Sequence, residues 1–313
     1  MLKAAAAVLV AAVALVAAAG AQVPRRMALT FDDLPGVVRP STLAALEDVN
    51  ARLLATLRIT RIPAIGFVNE RALDVEGERE ARIDLLRSWL AAGMTLGNHT
   101  YAHRGINDTP LPEYQDGVLK GERVTRPLLA SQGRTLVWFR HPFTHTGPTP
   151  EIRDALDRFL EAHGYRVAPF TVENADYVFA AVYDRRLNAG DEEGADRVMA
   201  AYLDYNDGVV AWAETLAEDT FGRPIPQVLL AHVNRLNADA MPEMLRRLRA
   251  RGYTFVSLED ATADAAYATR DAYVGRSGPS WLHRWRVALG KPSRLAEDPD
   301  PPDWVLEQYN SAN

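Results

Sequence analysis

Two adjacent acids, Asp32 and Asp33, follow directly on an apolar run that ends Thr30-Phe31. Neighbouring carboxylates repel, and fixing both at a strand end is costly unless a cation or a proton separates their roles. A metal held by one and a proton taken by the other would satisfy both. Candidate co-ligands lie further along the 313-residue chain, where His99-Thr100-Tyr101-Ala102-His103 sets two imidazoles at i, i+4. On one helical turn the two rings share a face and could grip one ion. With a single carboxylate they make a site of two imidazoles and one carboxylate, which leaves positions open for water and substrate. The chain has no cysteine, so a metal site here must use His and carboxylate ligands.

Other polar side chains fall at the ends of predicted strands. Arg140 ends one such run, and Pro142 stops that strand from continuing. Asp176 follows another, and His232 closes a third. Taken singly, Arg140 reads equally as a surface ion pair, His232 as a satisfied core histidine and Asp176 as a loop acid. Asp32 and Asp33 could serve as a helix cap and first-turn charge, but Leu34-Pro35-Gly36 reads as a turn. In a barrel of parallel strands the carboxyl ends share one face, where residues distant in sequence converge. His141, His145, His163 and His283 rank lower.

The elements that must position these residues alternate. Short apolar runs at Met27–Phe31, Ala64–Val68, Thr95–Gly97, Leu136–Arg140, Arg166–Thr171, Gln227–His232 and Thr254–Ser257 predict seven strands. Helical patterns at Thr42–Leu57, Glu80–Ala92, Pro150–His163 and Ala240–Arg251 lie between them. Thr149 and Pro150 read as N-cap and first residue of a helix, and Gly93, Gly133, Gly164 and Gly252 as helix-terminating glycines. This is an α/β chain with a parallel sheet, open or closed into a barrel. Seven strands without a glycine-rich dinucleotide loop favour barrel-like closure.

Two segments stand apart. Between 185 and 223 there is no strand, but Val198, Tyr202, Tyr205, Val209, Trp212 and Leu216 form a helical stripe that Gly208 could bend. It reads as a helix packed on the barrel, or else as a groove wall or dimer contact. The tail carries Trp281, Trp285 and Trp304, which dock on their own domain or stack on sugar rings.

The first 21 residues have a lone basic residue, Lys3, an Ala/Val/Leu run and Ala19-Gly20-Ala21, the form of a cleaved signal peptide. A mature chain from Gln22 has no second long apolar run and is expected to be exported, periplasmic or secreted, without stable membrane insertion. Losing Lys3 takes the formal charge from −6 to −7, which disfavours nucleic acid as a partner.

The chain resembles the polysaccharide deacetylases of the NodB-homology type, carbohydrate esterase family 4, from about Met27 to Asp260. The motifs come in family order: Thr30-Phe31-Asp32-Asp33, His99-Thr100-x-x-His103, Arg140-His141-Pro142-Phe143, Asp176 and Leu229-x-x-His232. Leu34 stands where many members have Gly, and Tyr177 where they often have Trp. The resemblance implies a distorted, incomplete (β/α) barrel. It implies that Asp33, His99 and His103 bind a divalent metal, usually zinc, with cobalt or nickel as alternatives. Asp32 would be the general base, held ionised by Arg140, and His232 the general acid, oriented by Asp176. A backbone N–H near Phe143 would help stabilise the oxyanion. The implied domain spans 22–270, with a helical insertion near 185–223 and a carboxy-terminal extension over 271–313. The implied activity is metal-dependent removal of N-acetyl groups from an N-acetylhexosamine polysaccharide or oligosaccharide. An O-acetyl esterase and a catalytically silent carbohydrate-binding protein are the alternatives.

Overall fold

The structure is a computed structural model that describes residues 24–311. The expected signal peptide lies outside the described residues. Among the described residues, eight strands form one sheet: β1 Arg25–Leu34, β2 Ala64–Val68, β3 Thr95–Asn98, β4 Trp138–Phe139, β5 Arg166–Val167, β6 Val172–Glu173, β7 Gln227–His232 and β8 Tyr253–Phe255. Their order is β5-β4-β3-β2-β1-β7-β6, with β8 on the opening of β1, and all pairings are parallel. β1 is the centre because Met27 to Phe31 are all buried and can sit between covered faces.

Seven strands were expected and the fifth run divides into two. β5 pairs with β4 and β6 with β7, at opposite edges of the sheet. Pro169 between them has no N–H to donate to a ladder. Ala168 N–H donates to the Phe139 carbonyl at 2.7 Å, and Thr171 N–H donates to that of Val228 at 2.9 Å. The short link 168–171 thus carries the chain from one edge to the other, and the sheet curls into an incomplete barrel.

The covering helices are α1 Leu43–Thr60, α2 Arg79–Ala91, α3 Leu111–Lys120, α4 Thr125–Ala130, α5 Pro150–Ala162, α6 Asp176–Asn188, α7 Glu192–Phe221, α8 Arg235–Ala250, α9 Leu258–Thr262, α10 Trp281–Ala288 and α11 Asp303–Asn310. Thr42 and Thr149 cap α1 and α5 through their hydroxyls. The four expected terminating glycines all take positive φ, from 69° to 92°. α8 starts at Arg235 rather than Ala240. Asn234 caps it, and Pro242 lies inside the helix.

α7 is the predicted stripe and runs uninterrupted through Gly208. Val198, Tyr202 and Leu216 are buried, and the helix packs on α6, α8 and α10. The tail docks on its own domain: Trp281 and Trp285 are buried, and Trp304 lies under the Arg197 guanidinium at 4.5 Å.

Two glycines should respond oppositely to one added methyl. At Gly97 a Cβ would fall 2.4 Å from the Phe67 ring, whereas at Gly117, inside α3, it would meet nothing. Gly97→Ala should cost about 1–3 kcal/mol in chemical denaturation. Gly117→Ala should stabilise by about 0.5–1 kcal/mol.

Candidate active site

Side chains alternate across a strand, so Asp32 and Asp33 would ordinarily face opposite sides. Asp33 takes φ 62°, and the register of β1 against β2 slips between Phe31 and Leu34. Both carboxylates then line one cavity of about 560 Å3. A non-glycine residue in this conformation costs on the order of 1–3 kcal/mol, and such strain concentrates at functional sites. Leu34, the departure from the common Gly, is fully buried, and its Cδ2 occupies the place where a Gly66 Cβ would sit, 2.5 Å away. The altered turn therefore packs into the core behind the acids.

The two histidines are not on a helical turn as expected. They lie in the loop after β3, with φ 66° at Thr100 and 52° at His103. Thr100 N–H donates to Asn98 Oδ1 at 2.7 Å, Asn69 Nδ2 to the His99 carbonyl at 2.6 Å and Tyr101 N–H to the Gly117 carbonyl at 2.9 Å. These bonds wrap the loop and bring the ring centroids to 4.9 Å. The i, i+4 spacing thus converges through loop hydrogen bonds, not helix geometry.

Asp33 Oδ1 lies 3.5 Å from His99 Nε2 and 3.4 Å from His103 Nε2. It is buried and has no hydrogen-bond partner. The ligand atoms of the three residues lie within 4.8 Å of one another. A tetrahedral zinc with bonds of about 2.0–2.1 Å separates its ligands by about 3.4 Å, so the trio fits a divalent cation. His99 Nδ1 donates to the Arg140 carbonyl at 2.7 Å, which leaves the Nε2 lone pair toward Asp33. Burial and then His103 hold the His99 pKa well below its ordinary value, so the ring is neutral.

Asp32 is 2% exposed and sits beside Arg140, with Nη1 to Oδ2 at 3.8 Å. Arg140 is fully buried, against the Phe67 and Phe170 rings, and its Nη2 donates to Thr30 Oγ1 at 3.0 Å. Burial raises the Asp32 pKa and outweighs the opposing pull of Arg140 and His232.

Asp176 is the first residue of α6, not a loop acid, and is wholly buried. Its Oδ1 accepts from His232 Nδ1 at 2.7 Å; its Oδ2 accepts from the His232 N–H at 2.7 Å and from Asn234 Nδ2 at 3.0 Å. Burial disfavours the His232 cation, but the Asp176 carboxylate outweighs it and lifts the pKa to about 10. Burial alone would raise Asp176, yet its contacts with His232 and Asn237 bring it below the usual carboxylate range. His232 Nε2 faces Asp33 Oδ2 at 4.0 Å.

Sequence reasoning missed the scaffold of this pair. Asn237 donates to Asp176 and accepts from the Tyr202 hydroxyl, which ties α7 to the site. Asn234, a helix-capping residue type three positions before Asn237, was the one legible clue. Glu173, Tyr177, Phe143 and Tyr309 also line the cavity, while His141, His145, His163 and His283 do not.

Residues 19–168 match the family model described as polysaccharide deacetylase. No curated protein matches the chain. Among solved structures, a CE4 family pseudoenzyme from Bacillus anthracis superposes with TM-score 0.52 at 16% identity, over 76% of this chain and 65% of that one. A mutant of that pseudoenzyme with restored enzymatic activity gives 0.52 at 18% identity, over 76% and 67%. The peptidoglycan deacetylase PdaC of Bacillus subtilis gives 0.50 at 19% identity, over 77% and 92%. At these identities the structures report the fold, the same incomplete barrel. Through the matched segment, and through the fold built on it, the chain is similar to the polysaccharide deacetylases of the NodB-homology type.

Proposed function

We propose that the protein is an exported, metal-dependent hydrolase of carbon–nitrogen bonds other than peptide bonds, removing N-acetyl groups from an N-acetylhexosamine polysaccharide or oligosaccharide. The observation that carries this reading is the orphaned Asp33 Oδ1 between two imidazole Nε2 atoms, with a second carboxylate and a paired imidazole in the same cavity. Asp33, His99 and His103 would hold the cation, zinc first by donor set. When bound, it supplies Lewis acidity toward water and the acetyl carbonyl.

The chain's own groups supply the rest. Asp32 accepts the proton of the attacking water, and Arg140 favours its ionised form. His232 carries the proton for the leaving nitrogen and Asp176 keeps it charged. Amide cleavage needs this acid because an amine anion is a poor leaving group. Exposed Phe143 and Tyr177 in the cavity wall suit pyranose faces. In this reading residues 22–270 form the catalytic domain, with a helical insertion near 185–223 and 271–313 as an extension. No helix among the described residues is long and apolar enough to cross a membrane, and export rests on the leader.

Acetate release across peptidoglycan, chitooligosaccharides and acetylated xylan tests the reading. Release from the N-acetylated glycans supports it. Release from xylan alone would make the protein an O-acetyl esterase, and binding without release, with metal restored, a silent carbohydrate-binding protein. Asp32→Asn should retain metal and lose about 10²–10⁴-fold in kcat, whereas His99→Ala should lose both; metal analysis beside the assay reads the difference.

The pH profile offers a separate check. A raised His232 pKa keeps the acid protonated through neutrality, and activity falls as pH rises through that value. Asp176→Asn removes the main stabiliser of the cation, so the alkaline limb of the kcat profile should move down by more than one unit. An unmoved limb assigns it to another group.

A further inference from the structure

We propose that the carboxy-terminal extension completes the active site, with Arg284 as a positioning residue that clamps the loop 141–146 against the ligand His103. The proposal rests on the catalytic reading above and adds to it a residue far from every motif.

The loop needs holding. Phe143 and Thr144 are consecutive non-glycine residues at φ 54° and 55°. Each costs on the order of 1–3 kcal/mol and persists only where its surroundings over-determine it. For a bulky residue such as Phe143 the conformation is a genuine outlier. The loop's own bonds are few: Thr144 N–H to the His141 carbonyl at 2.9 Å and His145 N–H to that of Pro142 at 3.2 Å.

Further constraints come from the tail. Arg284 Nη2 donates to the Thr144 carbonyl at 2.7 Å and Nη1 to Thr146 Oγ1 at 2.8 Å. The same guanidinium is anchored within the extension. Nη1 also donates to Asp271 Oδ2 at 2.8 Å, Nε donates to the Pro279 carbonyl at 2.8 Å, and the group lies 4.3 Å from the Trp281 ring. Arg284 is fully buried, and bonds to a buried cation are roughly twice as strong as neutral ones. Thr144 Oγ1 in turn donates to the Gly278 carbonyl at 2.8 Å. Gly278 presses on the loop directly: a Cβ there would fall 1.9 Å from Thr144 Oγ1 and 2.3 Å from the Phe143 carbonyl.

What the clamp holds is the Phe143 ring. It is 56% exposed at the cavity wall, yet it stands edge-on to His103 with centroids 4.5 Å apart. His103 is the least buried of the three candidate ligands, at 29% side-chain exposure even with this contact in place. The tail therefore acts on the metal site in sequence: Arg284 and Gly278 fix Thr144 and Phe143, and Phe143 fixes His103.

A purely structural role for the extension makes a different prediction, and Arg286 separates the two. It lies on the same helix, is 6% exposed and donates to the Pro292 carbonyl at 2.9 Å and to Thr220 Oγ1 at 3.2 Å. It docks the tail on α7 and has no hydrogen bond to the loop. The test compares Arg284→Met, Gly278→Ala and Arg286→Met in the full chain. Zinc affinity is measured by competition with a chromogenic chelator, kcat and KM by acetate release, and stability by thermal melting. The clamp predicts that Arg284→Met and Gly278→Ala weaken zinc binding and lower kcat by about tenfold or more, as supporting residues of metal sites do. Arg286→Met should leave both within about twofold of wild type even where it lowers the melting temperature. Equal losses in Arg284→Met and Arg286→Met, or unchanged zinc affinity in Gly278→Ala, would overturn the clamp. Gly278→Ala keeps the test decisive if Arg284→Met fails to fold. Zinc affinity decides the clamp even if no acetylated glycan is turned over, so failure of the catalytic reading is a separate result.

Discussion

Taking two neighbouring carboxylates out of water at the end of one strand is the constraint on which the rest of this structure depends. Desolvation of an ion costs several kcal/mol even after relaxation. Arg140 beside Asp32, at 3.8 Å, returns on the order of 4 kcal/mol at an effective dielectric near 20. The two are comparable, and the Asp32 carboxyl remains raised by burial. The protein thus leaves the acid pair short of positive charge on the side that opens to the cavity. That deficit, with Asp33 Oδ1 lacking a partner, is the electrostatic form of a cation site.

The second carboxylate-centred unit is balanced differently. Asp176 is saturated by His232, Asn234 and Asn237, and its charge is matched by the imidazolium it supports. One buried acid is left under-compensated and the other fully compensated, which sends their protonation equilibria in opposite directions. Groups whose environments push their pKa values apart are suited to opposite halves of a proton-transfer cycle. The long α7 enters here through Tyr202 and Asn237, so a helix that looks peripheral supports the acid unit.

Much of this was legible because strand ends and helix caps have local chemical signatures. Asp32, Asp33, His99, His103, Arg140 and His232 could be collected from strand ends alone, and Thr149, Gly164 and Gly252 mark boundaries where the structure has them. The left-handed conformations at Asp33, Thr100 and His103 carried no such mark, because tertiary bonds impose them on residues that do not prefer them. The i, i+4 histidine spacing anticipated that the two rings converge, but loop hydrogen bonds rather than a helical turn bring them together. The division of Arg166–Thr171 into β5 and β6 turned on pairing partners at opposite sheet edges, which no local window contains. Tyr202 was visible only as one member of an apolar stripe, and its hydroxyl's partner lies on another helix.

The pairing of β1 bears on how the molecule comes together. Its partner β2 follows after one helix, but Thr30 bonds to Leu229, 199 positions along the chain. Closing such a loop is slow relative to local structure. The three candidate ligand residues belong to β1 and to the loop after β3, both on the early side of the sheet, whereas His232 arrives only with β7. A partly assembled chain can therefore gather the groups that would hold an ion before it has the group that would deliver a proton. Capture and turnover would become competent at different stages of folding, and only the finished central strand joins them.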